Sequence, residues 1–244
     1  MYCKDNVGIE KLCDNLKDIF KNRIICLLYY GSNAYNRDIK KNSDYDFCLV
    51  LDKRKSKDLG EIRKVTRDFF KIELTLHYLE DLEQDGWENF QSDNHGVFYL
   101  YHFASTKAII GDNIFARKIH LIQTNNIIAS LRRQIIEYFW RLDNNIFILP
   151  DEELEKSDIF RKYTVRIIQD LLIVEGDISF LEINQINYSD FFNKFVKDKG
   201  YIQNRTKKLL QNVINREKNL SVDDIIELRE ALYEDFRRIF KKYY

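Results

Sequence analysis

Proline is almost missing from this chain. Pro150 is the only one in 244 residues, and glycine occurs eight times. With so few breakers, long helices are expected wherever the apolar pattern permits them. No apolar run reaches the length of a membrane span, and the opening MYCKDNVGIE lacks the apolar stretch of a secretory leader. Neither sign of charge dominates: 39 Lys+Arg balance 39 Asp+Glu, so composition gives no support to nucleic-acid binding through phosphates. Cysteine is scarce too. Cys3, Cys13, Cys26 and Cys48 contain no C-x-x-C pair, which argues against a zinc site. Cys26 and Cys48 lie inside apolar runs and read as small core residues. The four histidines, His77, His95, His102 and His120, lack ligand spacing, and no Ser/His/Asp arrangement points to a hydrolase. These absences together lead to the expectation of a cytoplasmic, reduced, globular protein.

What is present falls into two halves. In the first, helical and strand patterns alternate. Ile9, Leu12, Leu16 and Ile19 predict a helix over 8–22. IICLLYY (24–30) and YDFCLVL (45–51) are continuous apolar runs and predict buried strands. Residues 58–70 predict an amphipathic helix. KIELTLHYL (71–79) alternates strictly, with Glu73, Thr75 and His77 on its polar face, and predicts a half-buried strand; 107–110 predicts an edge strand. From about residue 113 only helical spacing remains. Helices are expected over 114–148 with a break at 124–126, then 152–175 stopped by Gly176, 188–198, 201–218 and 222–243. Ser221 followed by Asp224 predicts an N-cap. The expected architecture is α+β: a mixed sheet with flanking helices over 1–112, then an all-helical domain over 113–244.

The chemically informative segment is 27–51. An apolar strand ends in Gly31-Ser32, eleven residues follow, and Asp44-Tyr45-Asp46 opens a second apolar strand. Residues i and i+2 of a strand point the same way, so Asp44 and Asp46 share one face, and Glu73 on a neighbouring strand can complete a carboxylate cluster. Such a cluster suits Mg²⁺, which prefers carboxylate oxygens. Two such ions can hold the attacking and leaving oxygens of a phosphoryl displacement. A Gly31-Ser32 turn offers backbone N–H groups and a hydroxyl to phosphates. Taken singly, each piece has a plainer account: Gly-Ser is a common turn, Ser32 can cap a helix, and Glu73 can be a solvated strand carboxylate.

The combination resembles the DNA polymerase β nucleotidyltransferase superfamily. Its signature is an apolar strand, Gly-Ser or Gly-Gly, about ten residues, Asp-x-Asp with a second apolar strand, and a third acidic residue on a later strand. The resemblance implies catalytic Mg²⁺ held by Asp44, Asp46 and Glu73, phosphates held by Gly31 and Ser32, and a nucleotide triphosphate as co-substrate. Glu73 would also serve as general base.

YTVRIIQDLLIVEGDIS (163–179), IELTL and AIIGD (108–112) further resemble aminoglycoside adenylyltransferases of the streptomycin/spectinomycin type. That likeness implies ATP as donor, a small-molecule hydroxyl as acceptor, a role in antibiotic resistance, and Arg166 as a phosphate contact from a helical domain that closes the cleft. The plainer account of Arg166 is a surface cation on an amphipathic helix, or an ion pair with Asp170 one turn on. Candidate acceptor residues are Asp85, Trp87, Glu88, Asp170 and Glu175. The chain departs from the pattern after Ser179, where the family carries a lysine and the nearest one here is Lys194. Two rival functions stand beside this reading: nucleotidylation of a protein or tRNA in the manner of toxin–antitoxin nucleotidyltransferases, and a non-catalytic nucleotide-binding module. The basic, aromatic ending FRRIFKKYY reads as a solvated helix terminus.

Overall fold

The apolar runs at 24–30 and 45–51 pair as the two central strands of a four-stranded sheet. The computed structural model describes residues 6–34, 44–67, 69, 71–84, 100, 102–121, 124–179, 191–215 and 220–243. They divide into two compact units, Met1–Asn126 and Ile127–Tyr244.

The first unit runs α1 (Asn6–Phe20), β1 (Ile24–Tyr30), α2 (Gly31–Ala34), β2 (Tyr45–Leu51), α3 (Asp58–Thr66), β3 (Ile72–Tyr78), α4 (Leu79–Gln84), β4 (Ala108–Gly111) and α5 (Ile114–Lys118). The strand order is β3-β2-β1-β4. β1 is antiparallel to β2 and to β4, while β2 and β3 are parallel. The parallel pair needs a crossover, and α3 lies on it. Helix α3 stops at Thr66, short of the expected 70.

One sheet face is the core. Leu27, Tyr29, Phe47, Leu49, Leu51 and Tyr78 pack against Leu12, Leu16 and Phe20 of α1 and Ile62 and Val65 of α3. On the other face Tyr30, His77, His102, Phe103 and Phe115 form edge-on and tilted ring contacts at 5.0–6.1 Å. The histidines His77 and His102 are thus packing partners of aromatics in this unit. Cys26 and Cys48 are buried as expected; burial pushes the Cys26 thiol up to about 11 and Cys48 well above the ordinary range.

A part-buried ion pair ties α3 to the start of β1. Asp58 accepts from Arg23 Nη1 at 2.7 Å and Nη2 at 2.9 Å, and from the Lys55 amide at 2.9 Å. The Arg23 hydrogen bonds, against the opposing effect of burial, hold the Asp58 carboxyl below its usual range. A depressed folded-state value means the pair stabilises the fold above the unfolded-state value and stops doing so as pH falls through the folded one. Asp58→Asn is expected to cost about 2 kcal/mol at pH 7, at the low end for such pairs because Arg23 is part-exposed. It should also flatten the acid limb of stability against pH. Urea midpoints of both proteins between neutral and acid pH check this.

The second unit is helical: α6 (Thr124–Ile148), α7 (Asp151–Leu154), α8 (Asp158–Val174), α9 (Asn204–Asn215) and α10 (Val222–Phe240), with a π-turn at Phe192–Val196. The single helix expected over 152–175 is broken. Ser157 accepts from the Phe160 amide and starts α8 afresh, because a serine oxygen satisfies an N-terminal donor better than continued helix does. Gly176, at φ +77°, ends α8, and the Asp177 amide donates back to the Leu172 carbonyl. Ser221 and Asp224 form a reciprocal capping box at α10. The basic C-terminus is engaged: Lys242 pairs with Glu175 at 2.7 Å, Arg238 with Asp235 at 2.6 Å, and Tyr243 Oη donates to the Val174 carbonyl at 2.9 Å. Among the described residues no helix is long and apolar enough to cross a membrane.

Candidate active site

The Gly-Ser turn and the Asp-Tyr-Asp segment meet at one end of the sheet. β1 runs to Tyr30, and Gly31 then opens the four-residue helix α2 with φ +80°. That left-handed conformation suits glycine, and the space demands it as well. A Cβ at Gly31 would lie 1.9 Å from Asp46 Oδ2 and 2.8 Å from its carboxyl carbon. The Asp46 carboxylate is therefore laid directly against the Gly31 backbone. Ser32 is the second residue of α2; its side chain and residues 35–43 lie outside the described set.

Strand register supplies the third carboxylate. Tyr30 pairs with Asp46 across β1/β2, and Asp46 pairs with Glu73 across β2/β3. Partnered residues of adjacent strands project from the same face, and those strands are about 4.8 Å apart. Asp46 and Glu73 are thus immediate neighbours. Asp44 stands just before β2, two residues from Asp46, and is exposed like Glu73. Among the described residues no three His, Cys, Asp or Glu side chains are gathered as a group that could hold a metal ion.

Two features of this end of the sheet are not evident in the sequence pattern. Lys71, at φ +63°, presents its carbonyl to the Tyr45 amide at 2.8 Å and so sets the β2/β3 register where Asp46 meets Glu73. Tyr30 reaches across β2 to place its hydroxyl 3.2 Å from Thr75 Oγ1 on β3. A tyrosine closing an apolar strand is an ordinary core residue in one dimension, and only the strand order brings its hydroxyl to β3.

Comparison with solved structures bears on the fold. The spectinomycin adenyltransferase AAD(9) of Enterococcus faecialis, crystallised with ATP and spectinomycin, superposes with a TM-score of 0.56 at 14% identity, over 96% of this chain and 98% of that one. The chain has a nucleotidyltransferase fold. A nucleotidyltransferase-like protein of Exiguobacterium sibiricum, at a TM-score of 0.33 and 8% identity over 95% of this chain and 75% of its own, is too distant to argue from. No protein-family model and no curated protein sequence matches the chain.

In this nucleotidyltransferase fold, Arg166 belongs to the helical unit, on α8. Its guanidinium carbon lies 5.8 Å from the Tyr138 ring centroid. Both Asp170 carboxylate oxygens are buried without a hydrogen-bond partner. Burial pushes this carboxyl well above its usual range, with Arg166 opposing that shift. Asp170 is 1% exposed; helix α8 turns it inward with Ile167 and Leu171. Glu175 is also taken, by Lys242. Asp85, Trp87 and Glu88 lie outside the described residues, as do 180–190. Lys194 is exposed in the π-turn.

Proposed function

We propose that this protein is a Mg²⁺-dependent nucleotidyltransferase that transfers AMP from ATP to a hydroxyl of a small-molecule acceptor of the aminoglycoside class, releasing pyrophosphate. The observation that carries this reading is the apposition of Gly31, Asp46 and Glu73: a carboxylate pair beside a glycine that allows nothing larger. The donor set is all carboxylate, which suits Mg²⁺. Asp44, Asp46 and Glu73 would hold two ions. Bound there, Mg²⁺ would neutralise charge on the triphosphate and steady the attacking and leaving oxygens.

The remaining work falls to the chain itself. The Gly31 and Ser32 backbone receives the β- and γ-phosphates, which Gly31 lets approach closely. Glu73 orients the acceptor hydroxyl and takes its proton as the new O–P bond forms and the α–β bridge breaks. Arg166 contacts the phosphates from the helical domain. Residues 1–112 form the catalytic domain and 113–244 the closing one, in a protein that works in the cytoplasm. The AAD(9) complex with ATP and spectinomycin supports this choice of donor and acceptor class.

Pyrophosphate release tests it. The protein is incubated with Mg²⁺, each of the four nucleotide triphosphates and a panel of aminoglycosides including spectinomycin. Release is expected with ATP, only with an acceptor present, and not after chelation of Mg²⁺. Mg²⁺-dependent ATP binding with no release on any small acceptor would defeat the acceptor assignment and favour a protein or RNA acceptor. Absence of Mg²⁺-dependent nucleotide binding would defeat the whole reading.

A further inference from the structure

The helical unit carries an apolar surface that its own packing leaves uncovered. Helix α6 buries Leu131, Ile135, Tyr138, Phe139 and Leu142 on one side. On the other, Ile136, Trp140, Phe147 and Ile148 are 47%, 61%, 82% and 73% exposed. A solvated helix face is ordinarily polar. Ile136, Trp140 and Phe147, spaced by four and seven residues, lie along one stripe of about three turns. Helix α10 widens it. Arg229 of α10 grips Asp143 of α6 through two bonds of 2.6 and 2.7 Å, and Tyr233 packs edge-on against Phe139. Ile226 and Tyr233, 42% and 36% exposed, therefore flank the stripe. Contiguous exposed apolar area of this kind marks an interaction surface rather than scattered surface hydrophobes.

Charge at its two ends identifies the occupant. Arg132 and Arg133 are exposed at the N-terminal end, and Asp151, Glu152 and Glu153 are exposed just beyond the C-terminal end. We infer that α6 pairs antiparallel with α6 of a second copy of this chain, about a two-fold axis at the midpoint of the stripe, between Arg141 and Leu142. Setting Ile136 of each copy against Phe147 of the other brings each arginine pair over the partner's acidic turn. Trp140 then faces the partner copy's counterpart of Asp143, whose carboxylate Arg229 already holds. A parallel pairing would oppose like charges at both ends. The required partner has an apolar stripe bounded by acid and base in the reverse order, and this chain turned about a two-fold is such a partner.

Light scattering on the eluting full chain, at tens of micromolar and after serial dilution, tests the inference. The expected species is a dimer. Trp140→Glu, at a surface position that leaves the fold intact by circular dichroism, should weaken it by about 30-fold or more. Reversing Arg132 and Arg133 to Glu should weaken the dimer, as should reversing Asp151 and Glu152 to Lys. Mixed in equal amounts, the two charge variants should pair with each other. A chain that stays monomeric throughout, or a dimer that Trp140→Glu leaves intact, would overturn the pairing. So would charge variants that fail to recover on mixing.

Discussion

Asp46→Asn is expected to lower nucleotidyl transfer on the order of 10³-fold, equivalent to about 4 kcal/mol of transition-state stabilisation. The substitution keeps the shape that fits against Gly31 but removes the negative charge. A neutral amide oxygen is a poor substitute for a carboxylate at Mg²⁺, and the loss falls on the step in which charge moves along the triphosphate. Stability should not fall with activity. Asp46 is the strand neighbour of Glu73, so removing its charge relieves a like-charge contact. The thermal midpoint is expected to stay level or rise. Turnover and melting measured side by side check both halves. Wild-type turnover by the variant would remove Asp46 from the metal site, and a collapsed midpoint would make its role structural.

Gly31→Ala should do damage of a different kind. The new methyl must occupy space 1.9 Å from Asp46 Oδ2, and the backbone at φ +80° disfavours any side chain. The strained conformation costs about 1–2 kcal/mol, and the carboxylate must swing away to relieve the clash. We expect a loss of about 2 kcal/mol in stability together with a loss of activity on the order of 10²-fold or more. Gly60→Ala is the control. Gly60 lies inside α3, and a Cβ there meets nothing within 4 Å, so alanine should stabilise by about 0.5–1 kcal/mol and leave activity alone. Adding Asp46→Ala to Gly31→Ala should restore part of the stability and none of the activity, because it removes the clashing group. Additive stabilities would mean the two residues do not touch.

Much of the first unit could be read from periodicity. IICLLYY and YDFCLVL form β1 and β2 at the expected residues, and the strict alternation of 71–79 places Glu73, Thr75 and His77 on one face of β3. The capping box at Ser221 and the stop at Gly176 were equally legible, since both are local chemistry. The break at Ser157 was not. A serine among charged residues signals a cap only when the next turn of helix has somewhere else to pack. The burial of Asp170 was not legible for a related reason: helical spacing reveals which residues share a face but not which face turns inward.

The sequence by itself determined the strands of the first unit, most of the helices, and the order of glycine and carboxylates along the chain. These follow from the period of the backbone and from interactions between near neighbours. Only the tertiary structure decided that Asp46 stands beside Glu73, that Gly31 closes against Asp46, that Tyr30 spans β2 to reach Thr75, and that Trp140 faces outward while Asp170 faces in. Each depends on hydrogen-bond register or packing between segments far apart in the chain. A shift of one residue in the β2/β3 register would turn Glu73 away from Asp46 without changing a letter of either motif.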